Sequence, residues 1–229
     1  DQVGESGQRK LSSARVLVVG AGGLGSPALL YLAAAGVGTI GIIEFDSIEL
    51  SNLQRQIIHS EGGVGTSKAA SAAARIAELN STTLVEVFDR PISRENALDV
   101  MSGFDLVVDG SDNFATRYLL NDACVLAGKP YIWGSVLRFD GQVSVFGLPG
   151  GPCYRCVYPS PPEPGSVPNC ADAGVFGAIC GVIGSLQVSE ALKLILGVGE
   201  VLSGRIAIFD ALSARIEEVS IARDIHCPM

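Results

Sequence analysis

Residues suited to binding a phosphorylated nucleotide cluster in the first third of the sequence. Gly20, Gly22 and Gly25 have the spacing G-x-G-x-x-G directly after an apolar run, and Glu44 ends the next apolar run. Glycines at this spacing let the chain turn tightly, bring backbone amides against phosphate and pack a helix closely. A carboxylate at the later position can accept hydrogen bonds from a ribose. A loop needed only for helix packing is the alternative, and Glu44 favours nucleotide binding.

Cationic and amide side chains follow this acid closely. The segment "SIELSNLQRQIIHSEGGVGTSKA" carries Asn52, Gln54, Arg55 and Lys68. Binding a nicotinamide cofactor does not require two cations at this position. By contrast, positioned Arg and Lys side chains stabilise the charge that builds on a leaving pyrophosphate. Each cation taken singly is typical of a solvated surface.

A third polar group ends a later predicted strand. The turn "DGSDN" supplies Asp109, Asp112 and Asn113 at the carboxyl end of "FDLVVD", and ligands of open parallel sheets bind at that edge. A carboxylate there can hold Mg²⁺. Together with the two cations, these acids favour ATP as the nucleotide.

Composition restricts the class of protein. The 229 residues are 48% hydrophobic and 17% charged, as in a globular protein. The net charge of -8 argues against nucleic-acid binding, and the polar start lacks the layout of a signal peptide. Two long uncharged runs, Ser26 to Ile43 and Ala173 to Ser189, contain several glycines and indicate buried elements, not membrane spans. We therefore expect a cytoplasmic protein without a membrane partner.

The predicted elements that position these residues alternate between strand and helix. Such alternation predicts an α/β fold of the Rossmann type, with a parallel nucleotide-binding half, then antiparallel strands, and helices on both faces. Asp140 and Gly141 suit a hairpin turn between "YIWGSVL" and "QVSVFGL". A Pro-rich loop, "PSPPEPGSVPN", precedes a helix predicted from about Asp172 to Leu196, and "RIAIFD" and "RIEEVSI" are the last strands.

We expect one domain over residues 1–229. Residues 14–147 would form the nucleotide-binding half, and residues 148–229 a second half with a crossover loop. No internal repeat and no linker between independent domains is evident in the sequence.

The sequence resembles the adenylating enzymes of ubiquitin-like sulfur carriers, a family in the superfamily of ubiquitin-activating enzymes. The resemblance covers almost the whole chain. Its motifs are "ARVLVVGAGGLGS", "FDSIELSNLQRQ", "VGTSKA", "VVDGSDNFATRYLLND", "GQVSVF", "PCYRC" and "NCADAGVFGAICGVIGSLQVSEALK".

The resemblance implies a reaction on a protein carboxylate. A carrier protein ending in Gly-Gly would attack the α-phosphate of ATP, giving an acyl adenylate and pyrophosphate. A sulfur donor, such as a rhodanese domain or a cysteine desulfurase, would then yield a thiocarboxylate for molybdenum cofactor, thiamine or related sulfur transfer. The family resemblance and the long apolar segment before Leu196 also predict a homodimer.

Site roles follow from the same resemblance. Gly23 would lie against the phosphates and Glu44 would hold the ribose, although many relatives have Asp there. Asp112 with Asn113 would orient Mg²⁺. The residues implied around the triphosphate are Ser51, Asn52, Gln54, Arg55 and Lys68.

The cysteines divide into two groups. Cys153 and Cys156 in "CYRC", with Cys227, resemble the family's structural Zn²⁺ site of two CxxC pairs. The second pair is incomplete because the sequence stops at Met229; we expect a sequence cut short, with a three-cysteine site, or none, as the alternatives. Cys170 matches a thiol that joins the carrier in some relatives, and a structural cysteine is equally consistent with its position. The other thiols singled out are expected in the core: Cys124 and Cys180.

Two other functions stay open at this stage. A nicotinamide- or flavin-dependent oxidoreductase would use the glycine loop and Glu44 but leaves Arg55, Lys68 and Asp112 unexplained. A non-catalytic scaffold of the same superfamily would not need the complete cationic set.

Overall fold

The structure, a computed structural model, describes residues 3–163 and 174–229. Its strands over those residues are β1 (Arg15–Val19), β2 (Thr39–Ile43), β3 (Leu84–Phe88), β4 (Leu106–Asp109), β5 (Tyr131–Leu137), β6 (Asp140–Phe146), β7 (Arg205–Asp210) and β8 (Arg215–Ser220). They form one sheet in the order β3-β2-β1-β4-β5-β6-β7-β8. Strands β1 to β5 pair in parallel, and β5 to β8 pair antiparallel. The predicted mixed α/β sheet is confirmed, and the pairing of β6 with β7 joins the two predicted halves.

Helices cover both faces of the sheet. Their bounds are α1 (Gly4–Ser13), α2 (Gly25–Ala35), α3 (Lys68–Leu79), α4 (Ala97–Ser102), α5 (Phe114–Ala127), α6 (Tyr154–Val157) and α7 (Gly177–Leu196), with short 3₁₀ turns at Leu50–Asn52 and Glu61–Gly63. Alternate residues of β1 enter different cores, because side chains of a strand point to opposite faces. Val16 and Val18 pack with α2 and α7, whereas Leu17 and Val19 pack with α4 and α5.

The sequence did not predict α1 or α4. Most side chains of α1 are exposed, so the segment lacks the apolar periodicity that predicts a helix. It is held instead by tertiary contacts: Leu11 is buried, and the Lys10 ammonium donates a hydrogen bond to the carbonyl oxygen of Leu196 at the end of α7.

The prediction that Asp140 and Gly141 form the hairpin turn is wrong. Leu137 pairs with Asp140, so the two-residue turn consists of Arg138 and Phe139, and Arg138 has a left-handed φ of 54°. Gly141 lies within β6, where a methyl carbon added to it would be 2.3 Å from Ile183 of α7. Its lack of a side chain serves close helix packing and not the turn.

Helix α7 begins at Gly177, later than the predicted start at Asp172, which lies outside the described residues. Residues 174–176 are held away from helical geometry by two bonds to the hairpin: the Arg138 amide donates to Gly174, and the Phe176 amide donates to Arg138. By length and apolar composition α7 alone among the described helices could cross a membrane, but half of its most apolar stretch is buried. It packs against α2, β5 and β6.

Candidate functional site

The glycine loop between β1 and α2 forms the floor of a cavity at the carboxyl ends of the parallel strands. Gly20 has a left-handed φ of 95°, which glycine adopts without steric cost. A methyl carbon added to Gly25 would lie 1.9 Å from the carbonyl oxygen of Gly20, so the turn has room for glycine at this position but not for a side chain. Gly20, Gly22 and Gly23 line the cavity, while Gly25 closes the turn and lies outside the lining.

Glu44 is fixed at the end of β2 by backbone amides. Its Oε2 accepts from Ala21 at 2.9 Å, and its Oε1 accepts from Phe45 at 2.8 Å and from Asp46 at 2.9 Å. The carboxylate lines the cavity and is 7% exposed. Three charge-assisted hydrogen bonds therefore hold it in one orientation beside the glycine loop.

The two predicted cations both line the cavity. Lys68 begins α3, its side chain is 8% exposed, and its Nζ lies 3.4 Å from Asp46 Oδ2. Arg55 lies against the glycine loop: a methyl carbon on Gly23 would be 3.6 Å from Arg55 Cγ, and its guanidinium donates to the carbonyl of Ser51 at 3.4 Å. This arrangement brings both positive charges beside the backbone amides of the loop.

The segment between β4 and α5 supplies the opposite wall. Asp112 and Asn113 line the cavity, and Asn113 Oδ1 also caps α5 by accepting from the Thr116 amide at 2.9 Å. Mg²⁺ prefers one or two carboxylates together with substrate phosphates. Asp112 places a carboxylate on the cavity wall, which fits that donor set.

Asp109 lies beneath this wall and is fully buried. Its Oδ1 accepts from the Ser111 amide at 2.8 Å, its Oδ2 accepts from the Tyr131 hydroxyl, and its carbonyl accepts from Gln187 Nε2 at 2.7 Å. Burial raises the pKa of Asp109, and the charge of Arg117 opposes the shift only in part. Asp109 supports the wall and does not line the cavity.

Three predicted triphosphate residues lie outside the described lining of the cavity: Ser51, Asn52 and Gln54. Ser51 and Asn52 hydrogen-bond to Glu49 within the first 3₁₀ turn. Gln54 contacts the start of α7, where a methyl carbon on Gly177 would be 2.3 Å from the Gln54 carbonyl oxygen. In this arrangement they shape the segment that carries Arg55.

His59 is a site residue that the sequence reasoning missed. Its Nε2 lies 2.9 Å from the carbonyl oxygen of Ala21, and its Nδ1 lies 3.0 Å from the Ser71 hydroxyl. A carbonyl only accepts, so Nε2 carries the proton and Nδ1 accepts from Ser71 in the neutral ring. Burial lowers the pKa of His59, which favours that neutral form. A single histidine in an irregular segment gave no signal of this role.

A thiol cluster lies apart from the cavity. The Sγ atoms of Cys153, Cys156 and Cys227 lie within 4.8 Å of one another, with Cys153 and Cys227 3.5 Å apart. Burial raises the pKa of Cys153 to about 11, while backbone hydrogen bonds lower the pKa of Cys156 against the effect of burial. This set matches the predicted zinc ligands, and His226 is not part of the cluster.

The remaining cysteine predictions have separate outcomes. Cys124 and Cys180 are buried in apolar clusters, as expected, and Cys180 also reaches the cavity, where it packs against Gly23. Cys170 lies outside the described residues.

Comparison with known proteins gives concordant matches. The model of the ThiF family matches residues 1–229. The chain is 51% identical over 233 residues to a sulfur carrier protein adenylyltransferase of Thermus thermophilus, covering 100% of this chain and 86% of that protein. It is 53% identical over 232 residues to the probable adenylyltransferase/sulfurtransferase MoeZ of Mycobacterium tuberculosis, covering 99% of this chain but 59% of that one. Among solved structures, Escherichia coli MccB with ATP matches with a TM-score of 0.85 at 25% identity, over 96% of this chain and 68% of that one.

Proposed function

The chain belongs to the ThiF family, and on that premise we propose that it uses ATP to adenylate the C-terminal glycine of a ubiquitin-like sulfur carrier protein. The observation that carries the proposal is one cavity lined by the glycine loop, Glu44, two cations and Asp112. The names of the relatives support the proposal. The chain covers 86% of the sulfur carrier protein adenylyltransferase but only 59% of MoeZ.

In this proposal each wall of the cavity has a role. Glu44 would accept hydrogen bonds from the ribose, and the amides of the glycine loop would face the phosphates. Arg55 and Lys68 would neutralise the β- and γ-phosphates. ATP in the MccB structure, which shares this fold, supports the choice of nucleotide. Ser51, Asn52 and Gln54 would position Arg55 from behind.

The reaction would be an in-line displacement at the α-phosphorus. A carboxylate oxygen of the carrier's terminal glycine forms the new bond to the α-phosphorus, and the bond from that phosphorus to the α,β-bridging oxygen breaks, which releases pyrophosphate. Negative charge accumulates on the leaving group, where Arg55 and Lys68 stabilise it. The products are the acyl adenylate and pyrophosphate, and no proton has to be removed from a carboxylate that is already ionised.

Two metal ions would assist in different ways. Asp112, with Asn113 beside it, would hold Mg²⁺, which supplies charge neutralisation on the phosphates. Cys153, Cys156 and Cys227 would hold Zn²⁺, which supplies structural stability. The close approach of three thiols supports this assignment.

We further propose that the active unit is a cytoplasmic homodimer. The carrier would end in Gly-Gly, and a rhodanese domain or a cysteine desulfurase would supply sulfur. The Cys170 thiolate would take up the carrier's acyl group as a thioester, with AMP as the leaving group. Cys170→Ser would then keep adenylation but reduce thiocarboxylate formation. A mutant with a normal thiocarboxylate yield would contradict that role.

Exchange of labelled pyrophosphate into ATP tests the proposal. Exchange should depend on a carrier protein ending in Gly-Gly and on Mg²⁺. Asp112→Ala should abolish it, while Asp99→Ala, which removes an exposed acid on α4, should not. An oxidoreductase or a non-catalytic scaffold would show no exchange, and that result in the wild-type protein would refute the proposal.

The two cations have a matched control on the same helix as one of them. Arg55→Ala and Lys68→Ala should each slow exchange by a factor on the order of a hundred, the usual scale for one charge-stabilising group. Arg75 lies on α3 with Lys68 but is exposed and pairs with Glu78. Exchange by Arg75→Ala should stay near the wild-type rate.

A further inference from the structure

Arg117 of α5 is a buried cation that lines the cavity, and its guanidinium is incompletely hydrogen-bonded although its charge acts on the carboxyl of Asp109. The residue is 6% exposed. Its single side-chain hydrogen bond among the described residues is a long one of 3.5 Å, from NH2 to the Ser111 carbonyl. Its Nε has no partner in the described structure, and its guanidinium otherwise lies 5.4 Å from the Phe114 ring centre.

Other partly buried arginines of the described chain differ in this respect. Arg155 makes a two-pronged pair with Asp122, at 2.6 and 2.8 Å, and Arg15 bonds to Glu86, Thr39 and a backbone carbonyl. No described carboxylate oxygen lies within 4.0 Å of the Arg117 nitrogens. A buried guanidinium with unmade hydrogen bonds costs free energy unless a ligand completes them.

The position of Arg117 indicates which anion completes it. The strand order β2-β1-β4 places the glycine loop in the centre of the cavity edge. Lys68 pairs with Asp46, just beyond β2, whereas Arg117 follows β4 on the other side. An in-line displacement needs the nucleophile on the side of the phosphorus opposite to the leaving group.

We propose that Arg117 binds the carboxylate of the acyl substrate and presents it to the α-phosphate. This inference rests on the proposed adenylation for the identity of the anion. The planar fork of a guanidinium matches a carboxylate with two parallel hydrogen bonds, which a lysine cannot reproduce. Arg117 is therefore a substrate-binding residue, distinct in task from Arg55 and Lys68.

A binding cycle on the full chain tests the assignment without turnover. A carrier protein ending in Gly-Gly is prepared with a free terminal carboxylate and with a terminal carboxamide. Affinities for both forms are measured by calorimetry with Mg²⁺ and α,β-methylene ATP, which cannot release pyrophosphate. Wild-type protein should prefer the acid by about tenfold or more, the usual effect of a charge-assisted hydrogen bond.

Arg117→Met should bind the acid and the amide equally, with the affinity for the nucleotide analogue alone unchanged within about twofold. Arg117→Lys should retain part of the preference because it keeps the charge. Arg15→Met is the control, since it removes a cation at the amino end of β1, and it should keep the full preference.

Several results would overturn the assignment. The wild-type protein could bind acid and amide equally, or Arg117→Met could keep the preference for the acid. Arg117→Met could also lose affinity for the nucleotide analogue alone. If Arg117→Met does not fold, Arg117→Lys decides, and an unchanged preference would refute the role. If wild-type protein shows no pyrophosphate exchange but still binds the acid form more tightly than the amide, adenylation is refuted and the carboxylate-binding role of Arg117 is retained.

Discussion

The imidazole of His59 donates from Nε2 to the carbonyl oxygen of Ala21, 2.9 Å away, at the centre of the glycine loop. The amide of Ala21 in turn donates to Glu44, and the hydroxyl of Ser71 donates to His59 Nδ1. Ser71 lies one turn beyond Lys68 on α3. One chain of hydrogen bonds thus connects the acid, the loop and the helix that carries a site cation.

His59 is therefore expected to be a positioning residue for the nucleotide. His59→Leu should raise the KM for ATP about tenfold, because the loop loses one buried hydrogen bond, and should leave kcat within about threefold. His59→Gln should restore the KM, since Gln Nε2 can reach the same carbonyl. A drop in kcat at constant KM, or equal effects of Leu and Gln, would contradict the assignment.

The closed turn of the glycine loop should tolerate no added atom at Gly25. In Gly25→Ala the methyl carbon would overlap the Gly20 carbonyl oxygen, so nucleotide binding should weaken by about a hundredfold or more and Tm should fall. Gly62→Ala is the matched change, because no described atom lies within 4 Å of its added carbon. Calorimetric titration with the ATP analogue and thermal unfolding distinguish the two, and equal behaviour would refute the packing argument.

The buried carboxyl of Asp109 should make stability depend on pH. Because burial raises its pKa, the folded chain retains a proton that the unfolded chain releases above about pH 4. The resulting contribution to the free energy of unfolding is present at low pH and is lost as pH rises through the folded-state pKa. The slope is at most about 1.4 kcal/mol per pH unit.

Asp109→Asn removes that dependence: its Oδ1 can still accept from the Ser111 amide, and its Nδ2 can donate to the Tyr131 hydroxyl. Relative to the wild type, its free energy of unfolding in urea should therefore increase as pH rises above about 4, the pKa of the carboxyl in the unfolded chain. A constant difference between the two proteins above that pH would show that the carboxyl does not titrate there.

The thiol cluster is expected to hold zinc and to stabilise the fold. Cys227→Ser should lower the zinc content of purified protein and reduce Tm by about 5 °C or more, because metal binding stabilises only the folded cluster. Cys124→Ser alters a buried thiol elsewhere and should retain the zinc. Atomic absorption and thermal unfolding provide the measurements, and full zinc content in Cys227→Ser would exclude it as a ligand.

The sequence predicted the elements whose signals are local. Buried strands read as apolar runs, and Gly128 ends α5 in the left-handed conformation expected of a helix stop. Gly141 misled the prediction because a glycine before a strand can serve either a turn or close packing, and only the position of Ile183 decides. Helix α1 depends on contacts with α7, far away in the sequence.

The site was predictable to the same extent. Some site residues follow strand ends or lie in a recognisable sequence motif, and the topology of the sheet brings the strand ends together. These residues are Glu44, Arg55, Lys68 and Asp112. The residues adjacent in the sequence do not predict whether a polar side chain is buried. The roles of His59 and of the incompletely hydrogen-bonded Arg117 guanidinium were therefore evident only from the structure.

The proximity of Cys153 and Cys227 has a consequence for the unfolded chain. The two residues are 74 positions apart, and a bond between their sulfurs that persists on unfolding would close the intervening chain into a ring. A ring of that size lowers the entropy of the unfolded ensemble, an effect of about 4 kcal/mol in the simplest loop-closure estimate. Strands β7 and β8 lie inside the ring, so the antiparallel edge of the sheet would be tethered at both ends before it pairs.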